Sequence, residues 1–409
     1  MNGQLDIPRL TSHFMKPFGE LAIAIILFLS ACAPIINRPA PTDVPSSPKN
    51  SVTATLYPDE PPPARAISEF KTDFSKHSVP YSEILSGGPP KDGIPALKDP
   101  KFISVSEADA WLKPVEPVIL VEVGEDARAY PIQILIWHEI ANDTVGDEPL
   151  LITFCPLCNT AIAFKRTVTD KVLDFGTTGR LRYSNLIMYD RQTETWWQQA
   201  TGEAIAGEFT GTQLEFYPAT IISWKDFKSS FPQGKVLSRE TGYPRDYGRN
   251  PYVGYDNVNN PPFLYQGPTA PDQLQPVARV LTIDLNGEAV AYPYETLEKI
   301  GVVNDTVGGE EIVVFWQAGT VSPLDSATTA SGRDVGTAAA FSRIVNGQTL
   351  TFVANNGLIK DEETDSTWNV LGQAIAGELN GKQLTPVIAI NHFWFSWAAF
   401  KPETKIYQP

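Results

Sequence analysis

The chain has 409 residues and a formal net charge of −15, from 32 Lys and Arg against 47 Asp and Glu. An acidic chain without a Lys/Arg block lacks the basic groove that nucleic acid requires and the positive charge that binds anionic lipid. The three cysteines are too few for a disulfide-stapled fold, and the hydrophobic fraction of 42% suits an ordinary globular protein.

Residues 1–31 have the pattern of an export signal. The apolar run from Leu21 to Leu29 is shorter than the roughly 20 residues that span a bilayer, and Ser30-Ala31-Cys32 follows it directly. Small residues before a cysteine resemble the lipobox of bacterial lipoproteins, whose cysteine is lipidated and becomes the mature N-terminus. We expect Cys32 to anchor the protein in a membrane on the extracytoplasmic side of the cell envelope. The alternatives are an ordinary signal peptide or a buried helix.

Residues 32–65 are rich in proline and poor in large apolar side chains. Such a segment buries too little surface to offset its ordering entropy, so it should be an extended, disordered tether. The remaining chain, roughly 340 residues, is long enough for one large domain or two medium ones.

Short stretches recur in the same order in the two halves of the remaining chain, which indicates duplication. The recurring pairs are Ala129-Tyr130-Pro131 with Ala291-Tyr292-Pro293, Asn142-Asp143-Thr144-Val145-Gly146 with Asn304-Asp305-Thr306-Val307-Gly308, and Ala204-Ile205-Ala206-Gly207-Glu208 with Ala374-Ile375-Ala376-Gly377-Glu378. We name residues 118–237 the first unit and residues 279–409 the second unit. We expect them to superpose.

Each unit should be β-rich with short helices, an α+β fold. A hairpin is predicted around Gly124-Glu125-Asp126, and the apolar spacing from Ile132 to Ile140 predicts a helix that carries His138. Alternating stretches between Thr144 and Phe175 predict further strands, and a second short helix is expected over 224–230.

Two segments fall outside the repeat: a lead-in segment, 66–117, and a connector, 238–278, rich in Tyr, Pro and Gly. A connector of this length is usually functional. Its tyrosines, with Arg245 and Arg249, could equally staple the two units together by packing on both.

The stretch Phe154-Cys155-Pro156-Leu157-Cys158-Asn159 lies between two predicted strands. It therefore resembles the metal-binding knuckle of rubredoxins and zinc ribbons more than a thioredoxin helix start. In that turn the residue after the second cysteine has positive φ, which Asn159 tolerates. Both sulfurs should point to one place.

One knuckle supplies only two ligands, so other residues must complete a site. His138 is the candidate third ligand, and Glu139 is a candidate proton acceptor or supporting partner. Met188 offers a soft thioether, although core packing is the favoured interpretation for it, as it is for His392. Asp190 is a weaker candidate. Two thiolates and an imidazole suit Cu(I), while zinc requires a fourth ligand.

The second unit lacks these residues. It has Ile300 and Gly301 opposite His138 and Glu139, Trp316 and Gly319 near the places of the cysteines, and about Ile359 opposite Met188. Their joint loss indicates that they work together, with the first unit active and the second structural or a recognition copy. Ordinary drift is the alternative.

Several motifs together resemble the prokaryotic family catalogued as domain of unknown function 3179, from about residue 68 to the C-terminus. They are the Gly87–Pro95 stretch, Trp137-His138-Glu139-Ile140, Cys155-Pro156-Leu157-Cys158, Leu186-Ile187-Met188-Tyr189-Asp190-Arg191 and Tyr243-Pro244-Arg245-Asp246-Tyr247-Gly248. The resemblance implies no defined activity. Some members are described as selenoproteins, which would suit redox or soft-metal chemistry at the cysteine pair.

The leading hypothesis is a thiol centre at Cys155 and Cys158, assisted by His138, that binds copper or zinc or cycles between dithiol and disulfide. We expect His138 within about 8 Å of both sulfurs, a prerequisite for ligation at bond lengths near 2 Å, and Trp316 in the matching place of the second unit.

The alternative is a non-catalytic envelope binding module whose cysteines form a structural disulfide. A hydrolase has little support, because neither a Gly-x-Ser-x-Gly nor a His-Glu-x-x-His motif is present.

Overall fold

The computed structural model describes residues 60–355 and 357–409. Cys32, the export signal and nearly all of the tether lie outside these residues. Within them, no helix is both long enough and apolar enough to cross a bilayer.

The helices are short. They are α1 (Ala66–Glu69), α2 (Val105–Asp109), α3 (Ile132–Leu135), α4 (Trp224–Ser230), α5 (Tyr294–Ile300) and α6 (Trp394–Ala398). Single 3₁₀ turns are formed by Tyr81–Glu83, Pro156–Cys158 and Thr329–Ser331.

Strands dominate the fold. Up to residue 237 they are β1 (Ile84–Ser86), β2 (Leu97–Lys98), β3 (Phe102–Ser104), β4 (Pro117–Val123), β5 (Asp126–Pro131), β6 (Ile140–Val145), β7 (Glu148–Cys155), β8 (Thr160–Lys165), β9 (Thr167–Val168), β10 (Lys171–Val172), β11 (Phe175–Arg182), β12 (Asn185–Asp190), β13 (Trp196–Gln198), β14 (Ala204–Ala206), β15 (Phe216–Tyr217), β16 (Thr220–Ser223) and β17 (Lys235–Leu237).

The remaining strands belong to the second unit. They are β18 (Arg279–Leu285), β19 (Glu288–Pro293), β20 (Val302–Val307), β21 (Glu310–Gln317), β22 (Thr337–Ser342), β23 (Ile344–Val345), β24 (Gln348–Thr349), β25 (Phe352–Asn355), β26 (Leu358–Asp361), β27 (Thr367–Trp368), β28 (Ala374–Ala376), β29 (Ala389–Phe393) and β30 (Lys405–Ile406).

Several small sheets share these strands. The sheets that include first-unit strands have the orders β1-β11-β12-β13-β14, β15-β8-β7-β6-β2 and β16-β4-β5-β17-β3. The sheets of the second unit have the orders β29-β18-β19-β30, β20-β21-β22 and β25-β26-β27-β28, and β9-β10 and β23-β24 are two-stranded ribbons. The prediction of a β-rich fold with few short helices is confirmed.

The predicted helix over 132–140 is wrong beyond its first turn. Helix α3 ends at Leu135, and Ile140 already belongs to β6. Glu139 has φ 58°, in the left-handed region, which an α-helix cannot continue through. The apolar residues fit helical spacing only because a buried helix turn is followed closely by a buried strand. His138 therefore lies in a turn.

Equivalent side chains make the same contacts in the two units. The Tyr130 hydroxyl donates to Asp143 Oδ2 at 2.6 Å, and the Tyr292 hydroxyl donates to Asp305 Oδ2 at 2.8 Å. Asn142 exchanges two hydrogen bonds with the backbone of Phe175, as Asn304 does with Phe352. These contacts hold β6 against β11 in the first unit and β20 against β25 in the second.

The two units pack against each other in a reciprocal way. Strand β29 of the second unit lies against β8 of the first, and β16 of the first lies against β22 of the second. The apolar cluster around Trp224 and Phe227 also includes Phe315 and Trp368. The connector tyrosines Tyr247, Tyr252, Tyr255 and Tyr265 pack against a second cluster, which contains first-unit residues together with Phe393 and Phe395. The connector is thus packed on both units.

Candidate dithiol site

The two cysteines flank a tight turn between β7 and β8. Cys155 ends β7, Pro156 opens the 3₁₀ turn with its fixed φ, and Thr160, the ladder partner of Cys155, begins β8. Asn159 closes the turn in the left-handed conformation, with φ 51° and ψ 40°. The predicted positive φ at this asparagine is confirmed.

The thiols are adjacent, free and buried. Cys155 is 2% exposed and Cys158 is fully buried, and no disulfide joins them. Both sulfurs belong to one apolar cluster. The Cys158 thiol donates to the Ser184 carbonyl oxygen at 3.5 Å. Burial, followed by the neighbouring Cys155, raises the pKa of Cys158 well above its usual range, so this sulfur carries its proton at neutral pH.

Glu139 is an unusual residue beside this turn. Its carbonyl oxygen accepts from the Phe154 N–H at 2.8 Å, which places it next to the end of β7. Its side chain is only 8% exposed, and its carboxyl group has no hydrogen-bond partner among the described residues. Burial raises the pKa of Glu139 to about 8.

The second unit has glycine at the corresponding position. Gly301 has φ 72°, and its carbonyl oxygen accepts from the Trp316 N–H at 2.8 Å, as Glu139 accepts from Phe154. A left-handed backbone conformation costs glycine little and costs other L-residues roughly 1–2 kcal/mol. The first unit therefore holds a glutamate where the local backbone favours glycine.

The connector contributes Tyr252 and Tyr255, which the sequence marked as connector tyrosines with a functional or a stapling role but did not assign to the cysteine turn. Burial raises the pKa of Tyr252, and the charges of Glu139 and Cys155 raise it further. The Tyr255 hydroxyl donates to the Leu157 carbonyl oxygen at 3.0 Å, inside the cysteine turn. The available sequence signal was the density of aromatic residues in the connector.

His138 contacts the lead-in segment and the connector. Its Nδ1–H donates to the Pro95 carbonyl oxygen at 2.7 Å, and its Nε2 accepts from the Tyr247 hydroxyl at 2.6 Å. Burial lowers the pKa of His138 to about 4, so the ring is neutral. Neither cysteine sulfur is a hydrogen-bond partner of His138, and both ring nitrogens are occupied. The structure does not bring this predicted ligand into contact with the thiols.

The other predicted ligands differ in their surroundings. Met188, fully buried on β12, belongs to the same apolar cluster as both cysteines. Asp190 accepts from Trp197 Nε1 at 3.0 Å, and Asp361 accepts from Trp368 Nε1 at 2.8 Å, so this aspartate has a structural role in each unit. Among the residues that the structure describes, no group of three or more His, Cys, Asp and Glu side chains is arranged to hold a metal ion.

The sequence alignment of the two units needs a correction at the cysteine turn. Cys155 pairs with Thr160 across the β7–β8 ladder, and Gln317 pairs with Thr337 across the β21–β22 ladder. Gln317, and not Trp316, thus occupies the place of Cys155. The long loop inserted between β21 and β22 obscured this register in the sequence.

A cleft of about 480 Å³ opens beside the site. Its lining comprises Gly93, Ile94, Ile136, Trp137, Pro244, Arg245, Asp246, Pro251 and Tyr252. Trp137 Nε1 is buried without a hydrogen-bond partner among the described residues. Among the described residues, Arg245 donates only to the neighbouring Pro244 carbonyl oxygen, at 3.4 Å. The cleft is therefore lined by a guanidinium group with spare donors, beside Tyr252.

Comparisons with known proteins identify the family. Neither the curated proteins nor the solved structures contain a match to this chain. A family model described as "Protein of unknown function (DUF3179)" matches residues 91–404, most of the described chain. The family resemblance of the motifs is thereby confirmed, and the chain belongs to the DUF3179 family.

Proposed function

We propose that this chain is a lipid-anchored protein of the cell envelope in which Cys155 and Cys158 cycle between dithiol and disulfide. Glu139 exchanges the proton in this cycle. One observation carries the proposal: two free thiols are buried on one turn, and a buried glutamate held at positive φ is hydrogen-bonded through its backbone to Phe154, the residue before Cys155.

The two sulfurs have different roles in such a cycle. Cys155 retains slight exposure, so its thiolate attacks one sulfur of a partner disulfide and releases the first partner thiol. Cys158 then attacks Cys155 in the mixed disulfide and releases the second partner thiol. In sum, two thiols and a partner disulfide give the Cys155–Cys158 disulfide and two partner thiols, so two electrons and two protons move to the partner.

Glu139 suits the proton transfer because its pKa of about 8 is close to that of a thiol. Proton exchange is most efficient between groups of similar pKa. The left-handed backbone and the burial of its carboxyl group both cost stability, and strain of this kind concentrates at functional sites. The replacement by glycine in the second unit removes both costs.

The cleft supplies the route for the partner. Tyr252 and Arg245 line the cleft, and the guanidinium group of Arg245 favours a partner that presents oxygen acceptors. A disulfide-bearing peptide or a small carboxylated disulfide meets this requirement.

We infer further that the two units are copies that arose by duplication, with the first as the active copy. The support is the shared order of recurring stretches, the equivalent Tyr–Asp and Asn–backbone hydrogen bonds, and the matching positive φ at residues 139 and 301. The cysteine position is occupied by Gln317 in the second unit, which therefore has no dithiol.

Binding of a thiophilic metal is the second candidate. The knuckle-like turn and the adjacent sulfurs favour it, and copper is the better fit because it is softer than zinc. A role for His138 as a ligand would require Nε2 to leave the Tyr247 hydroxyl. A binding module with a structural disulfide is the third candidate, and the free state of both thiols does not favour it.

The deciding experiment is a redox titration of the purified protein in glutathione buffers, with alkylation of free thiols and mass analysis. We expect one reversible two-electron transition, abolished in C155S and in C158S. Metal content measured on the same samples separates the candidates. A cysteine pair that stays in one state across the whole range would overturn the proposal, and stoichiometric metal lost in C155S would favour the metal site.

A further inference from the structure

The second unit covers the cysteine turn of the first. Strand β29 lies against β8, and Ile390 on β29 belongs to the apolar cluster that contains both cysteines. Helix α6 follows β29 directly. The residues of this strand and helix that face the turn are therefore part of the immediate surroundings of the thiols.

Ser396, on α6, contacts the residue next to the hydrogen-bond partner of Cys158. The serine is fully buried, and its hydroxyl donates to Asn185 Oδ1 at 2.6 Å. Asn185 follows Ser184, whose carbonyl oxygen accepts from the Cys158 thiol at 3.5 Å. Ser396 thus holds the chain beside the acceptor of this thiol.

His392, on β29, reaches the same turn through Thr160. The Thr160 hydroxyl donates to the Cys158 carbonyl oxygen at 3.0 Å, and it lies 3.0 Å from His392 Nδ1. With the threonine proton directed to the carbonyl, His392 Nδ1–H is the donor to Thr160. The imidazole is fully buried, as expected for a packed histidine, and its Nε2 has no hydrogen-bond partner among the described residues.

The first unit makes the reciprocal contact with different chemistry. Asp226 on α4 accepts from Gln317 Nε2 at 3.3 Å. Asp226 and Ser396 are each the third residue of a helix that begins with tryptophan, and Gln317 has the ladder position of Cys155. At the ladder position of Cys155, the second unit thus has an amide that contacts a carboxylate of the first unit.

We propose that the dithiol site is built by both units, with Ser396 and His392 of the second unit as positioning residues for Cys158. Ser396 holds Asn185, and with it the neighbouring Ser184 carbonyl oxygen that orients the Cys158 thiol. His392 holds the backbone of the turn through Thr160, so that the sulfur keeps its direction. This inference depends on the dithiol function proposed above, and it gives the second unit a role at a site whose cysteines it lacks.

The test measures how fast oxidised glutathione closes the Cys155–Cys158 disulfide in the full-length protein. We expect S396A to slow closure roughly three- to tenfold, the effect of losing one neutral hydrogen bond that holds the surroundings of Cys158. His392→Phe should also slow closure, while His392→Asn, which can still donate to Thr160, should restore most of the rate. D226N is the matched control, because it alters the reciprocal contact far from the thiols, and it should close at the wild-type rate.

The outcomes are distinct. Wild-type closure rates in folded S396A and His392→Phe would overturn the shared site while the dithiol function stands. An equal slowing in D226N would also overturn it, because the cause would then be the packing of the units. If the wild-type protein forms no disulfide at all, the dithiol function itself fails. Thermal unfolding of each variant shows that a changed rate does not arise from a lost fold.

Discussion

At the scale of single residues, Glu139 combines features that local energetics disfavour. Its carboxyl group is buried without a partner, and its backbone has φ 58°. His138, beside it, is ordered by hydrogen bonds to Pro95 and Tyr247 on both sides of the ring. Glu139 costs stability and has no structural partner, so it is a stronger functional candidate than His138.

The variant E139Q tests the burial of this carboxyl group. The folded pKa of about 8 lies above the usual value of 4.5, so the protonated carboxyl favours the folded state below about pH 4.5. This contribution is lost as the pH rises through 8. E139Q does not titrate, so its free energy of unfolding should exceed that of the wild type by roughly 2–4 kcal/mol at pH 8, and by little at pH 4.5. Urea unfolding at both values measures this, and parallel pH profiles would contradict it.

The variant E139G tests the backbone conformation at the same position. Glycine removes the cost of positive φ, so we expect E139G to be more stable than the wild type by about 1 kcal/mol at neutral pH, and more if the buried charge contributes. Disulfide closure should nevertheless be slower. The matched control is Gly301→Ala, where φ is 72° and the new Cβ would lie 3.1 Å from Ala354 Cβ. This control should lose about 1 kcal/mol, and a stability loss in E139G would contradict the argument.

At the scale of elements, the turn between β7 and β8 sets the geometry of the thiols. Pro156 and Asn159 fix its two ends, and strand pairing of Cys155 with Thr160 holds it in register. Such a turn is local, which is why the sequence predicted it. Helix α3 was predicted too long because periodicity alone does not distinguish a helix from a turn followed by a buried strand.

Substitutions at Asn159 test this turn. Gly adopts φ 51° without strain, whereas the β-branched Val does so at a cost of roughly 1–2 kcal/mol. We expect N159G to fold and to close its disulfide at close to the wild-type rate. N159V should unfold at lower urea and close more slowly, because the sulfurs are displaced from each other. Equal closure rates in the two variants would show that the turn conformation does not position the thiols.

At the scale of the whole molecule, the two units, the lead-in segment and the connector enclose the cysteine turn together. Pro95 reaches His138 from the lead-in segment, Tyr255 reaches Leu157 from the connector, and His392 reaches Thr160 from the second unit. The connector is thus a packed part of the fold. Its tyrosines contact the cysteine turn and also pack on both units. The functional and the packing interpretations of this segment are therefore compatible.

The predicted lipid anchor belongs to this scale as well. The short apolar run that ends in Leu29-Ser30-Ala31-Cys32 motivates it. In C32S, lipidation cannot occur, so fractionation of cells should show the protein moving from the membrane to the soluble fraction. Continued membrane retention of C32S would instead indicate an uncleaved anchor. C155S serves as the control, since its lipidation site is intact.

The sequence alone determined the features that depend on neighbouring residues or on repetition within the chain. The β-rich fold, the hairpin over 117–131, the positive φ of Asn159 and the family followed from local pattern and motif. Aligning the units also marked Glu139 as the counterpart of Gly301. Only the tertiary structure decided that His138 bonds Tyr247, that Glu139 is buried and that Ser396 bonds Asn185. These contacts join residues far apart in sequence, and burial and hydrogen-bond partners at such a distance are set by how sheets and units pack, which no local pattern encodes.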